Sequence, residues 1–145
     1  DIPAEAIPTY TADSGVSVKV IAGESDGVVG AVQREATAPL YLDIELPPGA
    51  AHSAAIPAGH NAFVYVYRGQ AAVGQRDQPV AARQLAVLSN TPEADSVLLR
   101  SADGARLLLI AGRPLHEPIV QWGPFVMNRR EEIEAALADY RDGRF

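Results

Sequence analysis

The chain has 145 residues, 48% of them hydrophobic, and a formal net charge of −6 from 12 Lys and Arg against 18 Asp and Glu. This length and composition are those of one folded domain, and they exclude a disordered or collagen-like segment. The negative balance, with no stripe of basic residues, predicts no direct binding to nucleic acid and no membrane partner, because both need clustered Lys and Arg.

The sequence contains no cysteine. Its absence excludes disulfides, thiolate metal sites and a cysteine nucleophile, and it suits a reducing compartment, so we expect a cytoplasmic protein. No run approaches the ~18 apolar residues that a membrane-spanning helix needs.

Residues 1–14 have the character of a connecting segment. Pro3 and Pro8 interrupt any regular element, and the sequence starts with Asp1 rather than Met. We therefore expect residues 1–14 to be a linker from a preceding domain that lies outside this sequence, and residues 15–145 to form one domain.

Alternating apolar residues predict most of the strands. In the first of them, Val16, Val18 and Val20 face one way. Strands are predicted over residues 15–21, 27–32, 40–46, 61–67, 79–88, 96–100 and 105–110. Turn residues separate them at intervals of about eight to twelve residues, which favours an antiparallel sandwich or barrel.

One predicted strand carries two tyrosines. Tyr65 and Tyr67 share one face of it, opposite Val64 and Val66. Pointing into a barrel, the tyrosines would form a small-molecule pocket with His60. The alternative is that they lie outside.

A short helix is predicted near the C-terminus. Asn128 followed by Glu131 resembles a capping box, which contributes ~1 kcal/mol to a helix, and Gly143 is a plausible stop. Apolar residues recur between them at helical spacing: Ile133, Ala136, Leu137 and Tyr140. We expect this helix to dock on the sheet.

An apolar cluster of Trp122, Phe125 and Met127 precedes the helix. Large aromatic side chains dominate contacts between surfaces. We expect the cluster to cover one end of a barrel or to form an interface with a neighbouring domain; stacking on a ligand is the alternative.

His52, His60 and His116 are the only imidazoles in the chain. An even spacing would place His52 and His60 on one face of a strand, but Pro57 and Gly59 intervene and break that alignment. We therefore expect His52 to be exposed near a turn, and His60 to hydrogen-bond across a loop or fill a partial pocket.

Residues 56–74, IPAGHNAFVYVYRGQAAVG, resemble the first signature of the cupin superfamily. That resemblance implies a glutamate ligand seven residues before Gly69 and a pair of histidine ligands several residues earlier. Those positions hold Ala62 and residues 55–58, AIPA, and the region of the second cupin histidine, residues 94–98, holds no histidine. The resemblance therefore predicts a cupin barrel without metal ligands.

Residues 112–145, GRPLHEPIVQWGPFVMNRREEIEAALADYRDGRF, resemble the closing signature of the pirin family, most specifically in GPFVMN at 123–128. Residues 16–27, VSVKVIAGESDG, are similar to the opening of that family's C-terminal domain. The resemblance implies a bicupin whose N-terminal barrel holds iron through three His and one Glu. It also implies quercetin 2,3-dioxygenase activity or, in animals, transcriptional co-regulation, and a metal-free C-terminal barrel.

From this resemblance we expect an all-β, cupin-like antiparallel β-barrel or jelly roll with a short C-terminal α-helix. The chain would act as a structural and interaction module with no cofactor of its own, iron or another divalent metal being held by the N-terminal domain. That domain of the same protein is the expected partner. Self-association, for example as a homodimer, is also expected, because removing a partner domain exposes an apolar interface.

Two other functions are compatible with the residues. In one, His52 and His60 converge with Glu45 or His116 on a metal, and the chain is a stand-alone dioxygenase. In the other, the barrel binds a small ligand without turnover.

Overall fold

The computed structural model describes residues 2–91 and 93–144. The chain divides into two compact units, Asp1–Pro114 and Leu115–Phe145. Asp1, at the start of the predicted linker, Pro92, and Phe145, at the end of the pirin-like signature, lie outside the described residues.

The first unit is built almost entirely from β-strands, preceded by a 3₁₀ turn at Ala4–Ala6. Its strands are β1 (Thr9–Thr11), β2 (Ser17–Ala22), β3 (Glu24–Ser25), β4 (Val28–Val29), β5 (Leu40–Leu46), β6 (Ala51–Ala55), β7 (Asn61–Val73), β8 (Gln78–Ala81), β9 (Gln84–Val87), β10 (Ser96–Arg100) and β11 (Ala105–Gly112).

Within the described residues, nine of these strands form one curled sheet in the order β1-β2-β5-β11-β7-β10-β6, with β8 and β9 also paired to β7. Strand β7 joins two halves of the sheet. Its first part, as far as Gly69, pairs antiparallel with β11 and β9, and its last part pairs antiparallel with β8 and β10.

The core lies between the inner faces of these two halves. The predicted alternation is confirmed in β2, where Val18 and Val20 are 0% exposed and Lys19 between them is exposed. Strand β5 repeats the pattern, with four aliphatic side chains at most 2% exposed: Leu40, Leu42, Ile44 and Leu46. Burial of one apolar face on each half holds the sheet in its curled form.

Several strands differ from the prediction. Strand β1 lies within residues 1–14 and pairs with β2, so part of the expected linker belongs to the sheet. Strand β6 was not predicted. The predicted strand over residues 79–88 is two strands, because the chain turns at Arg83, whose φ is +69°. The division into a linker and one domain stays a prediction.

The second unit contains a hairpin and a helix: β12 (Val120–Trp122), β13 (Phe125–Met127) and α1 (Arg130–Arg141). The two strands pair antiparallel around Gly123, and α1 packs against both of them. Burial of Ile133 and Ala136 on α1 agrees with the predicted apolar stripe. Docking of the helix on the sheet stays a prediction.

The cap of α1 differs from the predicted one. The Glu132 carboxylate, not that of Glu131, accepts hydrogen bonds from the backbone N–H groups of Arg129 (2.9 Å) and Asn128 (3.2 Å). Arg129 is the N-cap residue, and the side-chain amide nitrogen of Asn128 donates to Glu117 Oε2 at 2.9 Å and to Pro118 O at 3.0 Å.

The fold class is therefore confirmed as an antiparallel β structure with one short C-terminal helix. No helix in the described part of the chain is long and apolar enough to cross a bilayer.

Candidate functional site

His60 is held in a tight turn at the start of β7. Its backbone N–H donates to Pro57 O at 3.1 Å, and its ring Nδ1 lies 3.0 Å from the same oxygen. The side-chain amide of Asn90 stabilises the turn by donating hydrogen bonds to Gly59 O (3.1 Å) and to Asn61 Oδ1 (3.0 Å). These contacts fix the orientation of the imidazole.

The other ring nitrogen of His60 has no partner. A carbonyl oxygen only accepts hydrogen bonds, so Nδ1 carries the proton and Nε2 of the neutral ring is an acceptor. His60 is 9% exposed, and its buried Nε2 has no hydrogen-bond partner among the described residues. A buried acceptor without a donor costs ~1–3 kcal/mol, so this nitrogen is suited to a hydrogen-bond donor from outside the chain.

His60 lines a cavity of about 880 Å³. Its apolar wall includes Ile56, Ala62, Val73, Leu88 and Val97. Its polar wall includes two charged side chains, Arg76 and Glu93, and the uncharged Ser53, Gln75, Gln78, Ser89, Asn90, Thr91 and Ser96. Walls of this mixed kind suit a small molecule with an apolar body and a few polar groups.

A second cavity, of about 470 Å³, has Arg100 and Asp77 in its wall. These two side chains form an ion pair with each other, and the nearby Ser101 hydroxyl donates to Gln70 O at 2.7 Å. Because these polar groups are already paired, we regard the cavity beside His60 as the candidate site.

The positions that the cupin resemblance singles out do not fit a metal. Ala62, at the glutamate position, is 6% exposed in the core, and Ile56 and Val97 also lie in the core. Across residues 2–91 and 93–144, no three His, Asp or Glu side chains lie close enough together to hold an ion. Methyl and aliphatic groups offer no donor to iron, so the residues present do not fit the metal that the family implies.

The expectation that His52 is exposed near a turn is wrong. His52 lies on the unpredicted strand β6, opposite Leu99 of β10, and is 7% exposed. Burial lowers the pKa of His52, and the charge of Asp26 partly offsets this effect. Its Nε2 likewise has no hydrogen-bond partner in the described part of the chain.

The alternative metal site is not assembled either. Glu45, 53% exposed at its side chain, forms an ion pair with Arg106 at 2.8 Å on the outer side of the sheet, whereas His52 is buried. His116 is exposed in the second unit. Of these candidate ligands, His60 lines the cavity and the other three do not.

Tyr65 and Tyr67 lie outside the barrel, because the valines with which they alternate are fully buried in the core. Tyr67 is 38% exposed and its phenol donates to Asp43 Oδ1 at 2.8 Å. Burial, followed by this hydrogen bond, raises the pKa of Tyr67 to about 12. Neither tyrosine lines the cavity, so the structure does not bring His60, Tyr65 and Tyr67 together.

Trp122, Phe125 and Met127 share one face of the hairpin. Trp122 lies directly opposite Phe125, and Met127 is two residues further along the same face. Trp122 is 65% exposed, while Phe125 and Met127 are half-buried. Their role as an interface stays a prediction.

Sequence reasoning missed a surface on the outer side of β5, β11, β7 and β9. Cross-strand register aligns one row there, Tyr41, Ile110, Phe63 and Val87, and a second row, Asp43, Leu108, Tyr65 and Leu85. Val87 is 79% exposed and Leu85 is 52% exposed. We call the seven apolar or aromatic residues of these rows the outer apolar face.

Comparison with known proteins places these features in a family. The pirin C-terminal cupin domain family matches residues 41–145. A putative quercetin 2,3-dioxygenase from Pseudomonas aeruginosa is 50% identical, with 99% of this chain and 51% of that protein covered. Human pirin is 43% identical, with 99% of this chain and 49% of pirin covered.

A solved structure agrees with these matches. The crystal structure of a quercetin 2,3-dioxygenase from Acinetobacter baumannii superposes with a TM-score of 0.85 at 32% identity. The superposition covers 99% of this chain and 49% of that one. The chain spans about half the length of the curated relatives that it matches.

Proposed function

Because this chain belongs to the pirin C-terminal cupin family, we propose that it is the metal-free half of a two-domain protein and acts as a structural and interaction module for a metal-binding cupin domain. The observation that carries the proposal is the filling of the cupin ligand positions by Ala62 and its aliphatic neighbours. A barrel whose interior is packed with such side chains gains stability from burial but offers no ligand to a transition metal.

We assign the dioxygenase chemistry named in the relatives to the half of those proteins that this chain does not match. The whole protein would then bind iron or another divalent metal in its N-terminal domain, and any transcriptional role would belong to the two-domain protein. We also propose a cytoplasmic location, supported by a sequence free of cysteine.

Elemental analysis and a turnover assay of the purified 145-residue chain test this proposal. We expect iron, copper, zinc and nickel far below one equivalent per chain, and no consumption of quercetin under air. Metal near one equivalent, with turnover that is lost in His60→Ala and kept in His116→Ala, would overturn the proposal in favour of a stand-alone dioxygenase.

A second function is favoured by the unpartnered Nε2 of His60 beside the cavity. We propose that the cavity binds an apolar molecule carrying a hydroxyl donor, of which a phenol is the simplest probe. The hydroxyl would donate to Nε2, while Ala62, Leu88 and Val97 contact the ring.

Phenol and toluene form a matched pair for this test, because they differ chiefly in the hydroxyl. We expect phenol to bind about fivefold more tightly than toluene, which corresponds to one hydrogen bond of ~1 kcal/mol. Phenol should also shift the ¹⁵N resonance of His60 Nε2. His60→Phe should remove the preference for phenol over toluene, and His116→Phe should retain it. Equal binding of phenol and toluene to the unmodified chain would contradict the ligand site.

A further inference from the structure

We infer that the cavity beside His60 takes a phenolic amino acid, that is, a phenol whose far end carries both a carboxylate and an ammonium group. The inference rests on the proposed binding of a phenol in this cavity, and it names the class of molecule to which that phenol belongs. It is carried by two opposite charges, Arg76 and Glu93, in the wall of the same cavity.

The polarity of this cavity changes from its buried part to its exposed part. The lining residues Ala62 and Val97 are buried, as is His60, whose Nε2 has no hydrogen-bond partner among the described residues. Arg76 and Glu93, by contrast, are exposed. A ligand with its hydroxyl at His60 and its ring against the apolar wall therefore has its remaining groups on the side of the two charges.

Both charged side chains are available to a ligand. In residues 2–91 and 93–144, the side chains of Arg76 and Glu93 form no ion pair or hydrogen bond, either with each other or with a third residue. The carboxylate nearest to Arg76 in sequence, that of Asp77, is paired with Arg100 in the wall of the other cavity. An ion pair with a ligand would therefore replace water at each charge and break no contact within the chain.

The segments that carry the two charges are fixed at the cavity. Arg76 lies in the turn between β7 and β8, where Gly74 N donates to Leu98 O of β10 at 2.7 Å. Glu93 lies in the loop between β9 and β10, and this loop is tied to the start of β7 by the two hydrogen bonds that the side-chain amide of Asn90 donates. The backbone therefore holds both charges beside the cavity.

Two opposite charges favour an amphoteric ligand over a singly charged one. A carboxylate is attracted by Arg76 and repelled by Glu93, and an ammonium group has the reverse preference. A ligand that carries both groups satisfies both side chains. The volume of about 880 Å³ leaves room for these groups beyond a phenol ring. Free tyrosine is the simplest molecule of this class.

A set of probes that each lack one group tests the inference on the purified 145-residue chain. Tyrosine carries all the groups, phenylalanine lacks the hydroxyl, tyramine lacks the carboxylate, and 3-(4-hydroxyphenyl)propionate lacks the ammonium group. Dissociation constants are measured at neutral pH by NMR titration of the ¹⁵N-labelled chain. We expect tyrosine to bind about threefold more tightly than each of the other probes, because each of them loses one exposed ion pair or one hydrogen bond.

Single substitutions assign the two charges. Arg76→Gln should remove the advantage of tyrosine over tyramine, and Glu93→Gln should remove its advantage over 3-(4-hydroxyphenyl)propionate. Both variants should keep the advantage over phenylalanine, which depends on His60. Arg34→Gln and Glu35→Gln, at exposed residues outside the cavity wall, are the matched controls and should change none of these ratios. Thermal unfolding of each variant confirms that it folds.

The outcomes separate this inference from the phenol site on which it rests. Tyrosine that binds no more tightly than tyramine or 3-(4-hydroxyphenyl)propionate, while phenol is still preferred to toluene, would overturn the inference and leave the phenol site intact. Equal binding of tyrosine and phenylalanine, together with equal binding of phenol and toluene, would overturn both. Advantages of tyrosine that persist in Arg76→Gln and Glu93→Gln would show that other groups recognise its charges, and they would also overturn the inference.

Discussion

The phenol of Tyr67 donates a hydrogen bond of 2.8 Å to Oδ1 of Asp43, a residue 24 positions earlier in the sequence. The two residues lie on β7 and β5, on either side of β11, so the bond spans the central strand of the outer surface. Asp43 ends one row of the outer apolar face. A tyrosine predicted to line a pocket therefore forms part of the polar border of a sheet surface.

Titration of the tyrosines should show this contact. Burial is the larger cause that raises the pKa of Tyr67 to about 12, and the hydrogen bond to Asp43 is the next. We expect Tyr67→Phe to remove the highest tyrosinate transition in the ultraviolet spectrum. Asp43→Asn should lower that transition yet leave it above 10, the ordinary value for tyrosine.

Tyr140→Phe, at a tyrosine that is 69% exposed, is the control and should leave the highest transition in place. The sign of the effect on stability follows from the raised pKa. The contribution of the protonated phenol is fully present below pH 10 and is lost as the pH rises towards 12. A transition unchanged by Tyr67→Phe would contradict the assignment.

Gly69 is required where β7 passes from one half of the sheet to the other. Its φ is +74°, and an added Cβ would lie 2.2 Å from Gly104 O, whereas at Gly74, with φ +77°, a Cβ would meet nothing within 4 Å. Alanine at either position carries the cost of a left-handed backbone, about 1–2 kcal/mol. We expect Gly69→Ala to lower the free energy of unfolding by a further ~1–3 kcal/mol in urea titrations, because backbone must move. Equal losses in the two variants would show that the sheet relaxes freely at Gly69.

Replacing Glu132 in the first turn of α1 should loosen the start of the helix more than replacing its neighbour Glu131. Glu132 accepts hydrogen bonds from Arg129 N (2.9 Å) and Asn128 N (3.2 Å), and the bond from Arg129 is the main cause that lowers its pKa. Glu132→Ala should therefore speed amide exchange in the first turn of α1, and Glu131→Ala, with the same change in charge, should have little effect. Because the pKa is lowered, the cap is intact above pH 4.5 and weakens as the pH falls further. Equal acceleration by both variants would indicate a general effect of charge at the helix N-terminus.

How far the sequence predicts the fold depends on where each strand gains its stability. Strand β5 was predicted with its observed bounds because it alternates strictly between buried and more exposed residues, so the local pattern carries the signal. Strand β6, with the sequence AHSAA, has no β-branched residue, and it forms because it pairs with all five residues of β10. Such long-range pairing leaves little trace in the local sequence.

The same limit applies to the candidate site. The alanine at position 62 could be found from the cupin spacing, and the structure places it in the wall of the cavity beside His60. The prediction that His52 is exposed was wrong because the burial of His52 depends on strand β6, which was not predicted. The outer apolar face was missed because Leu85 and Val87 become a surface only when register places them beside Tyr65 and Phe63.

His52 should make the protein sensitive to mild acid. Burial lowers its pKa in the folded chain, whereas in the unfolded chain it takes up a proton near pH 6.5. The unfolded state therefore binds more protons below pH 6.5, and stability falls with pH by at most about 1.4 kcal/mol per unit for one group. Urea unfolding between pH 7.5 and about 5 measures this slope. Most carboxylates titrate below this pH range, so they contribute little to it. We expect His52→Leu to flatten the slope and His116→Leu, at an exposed position, to leave it unchanged; a slope that survives in His52→Leu would mean that another group carries the acid sensitivity.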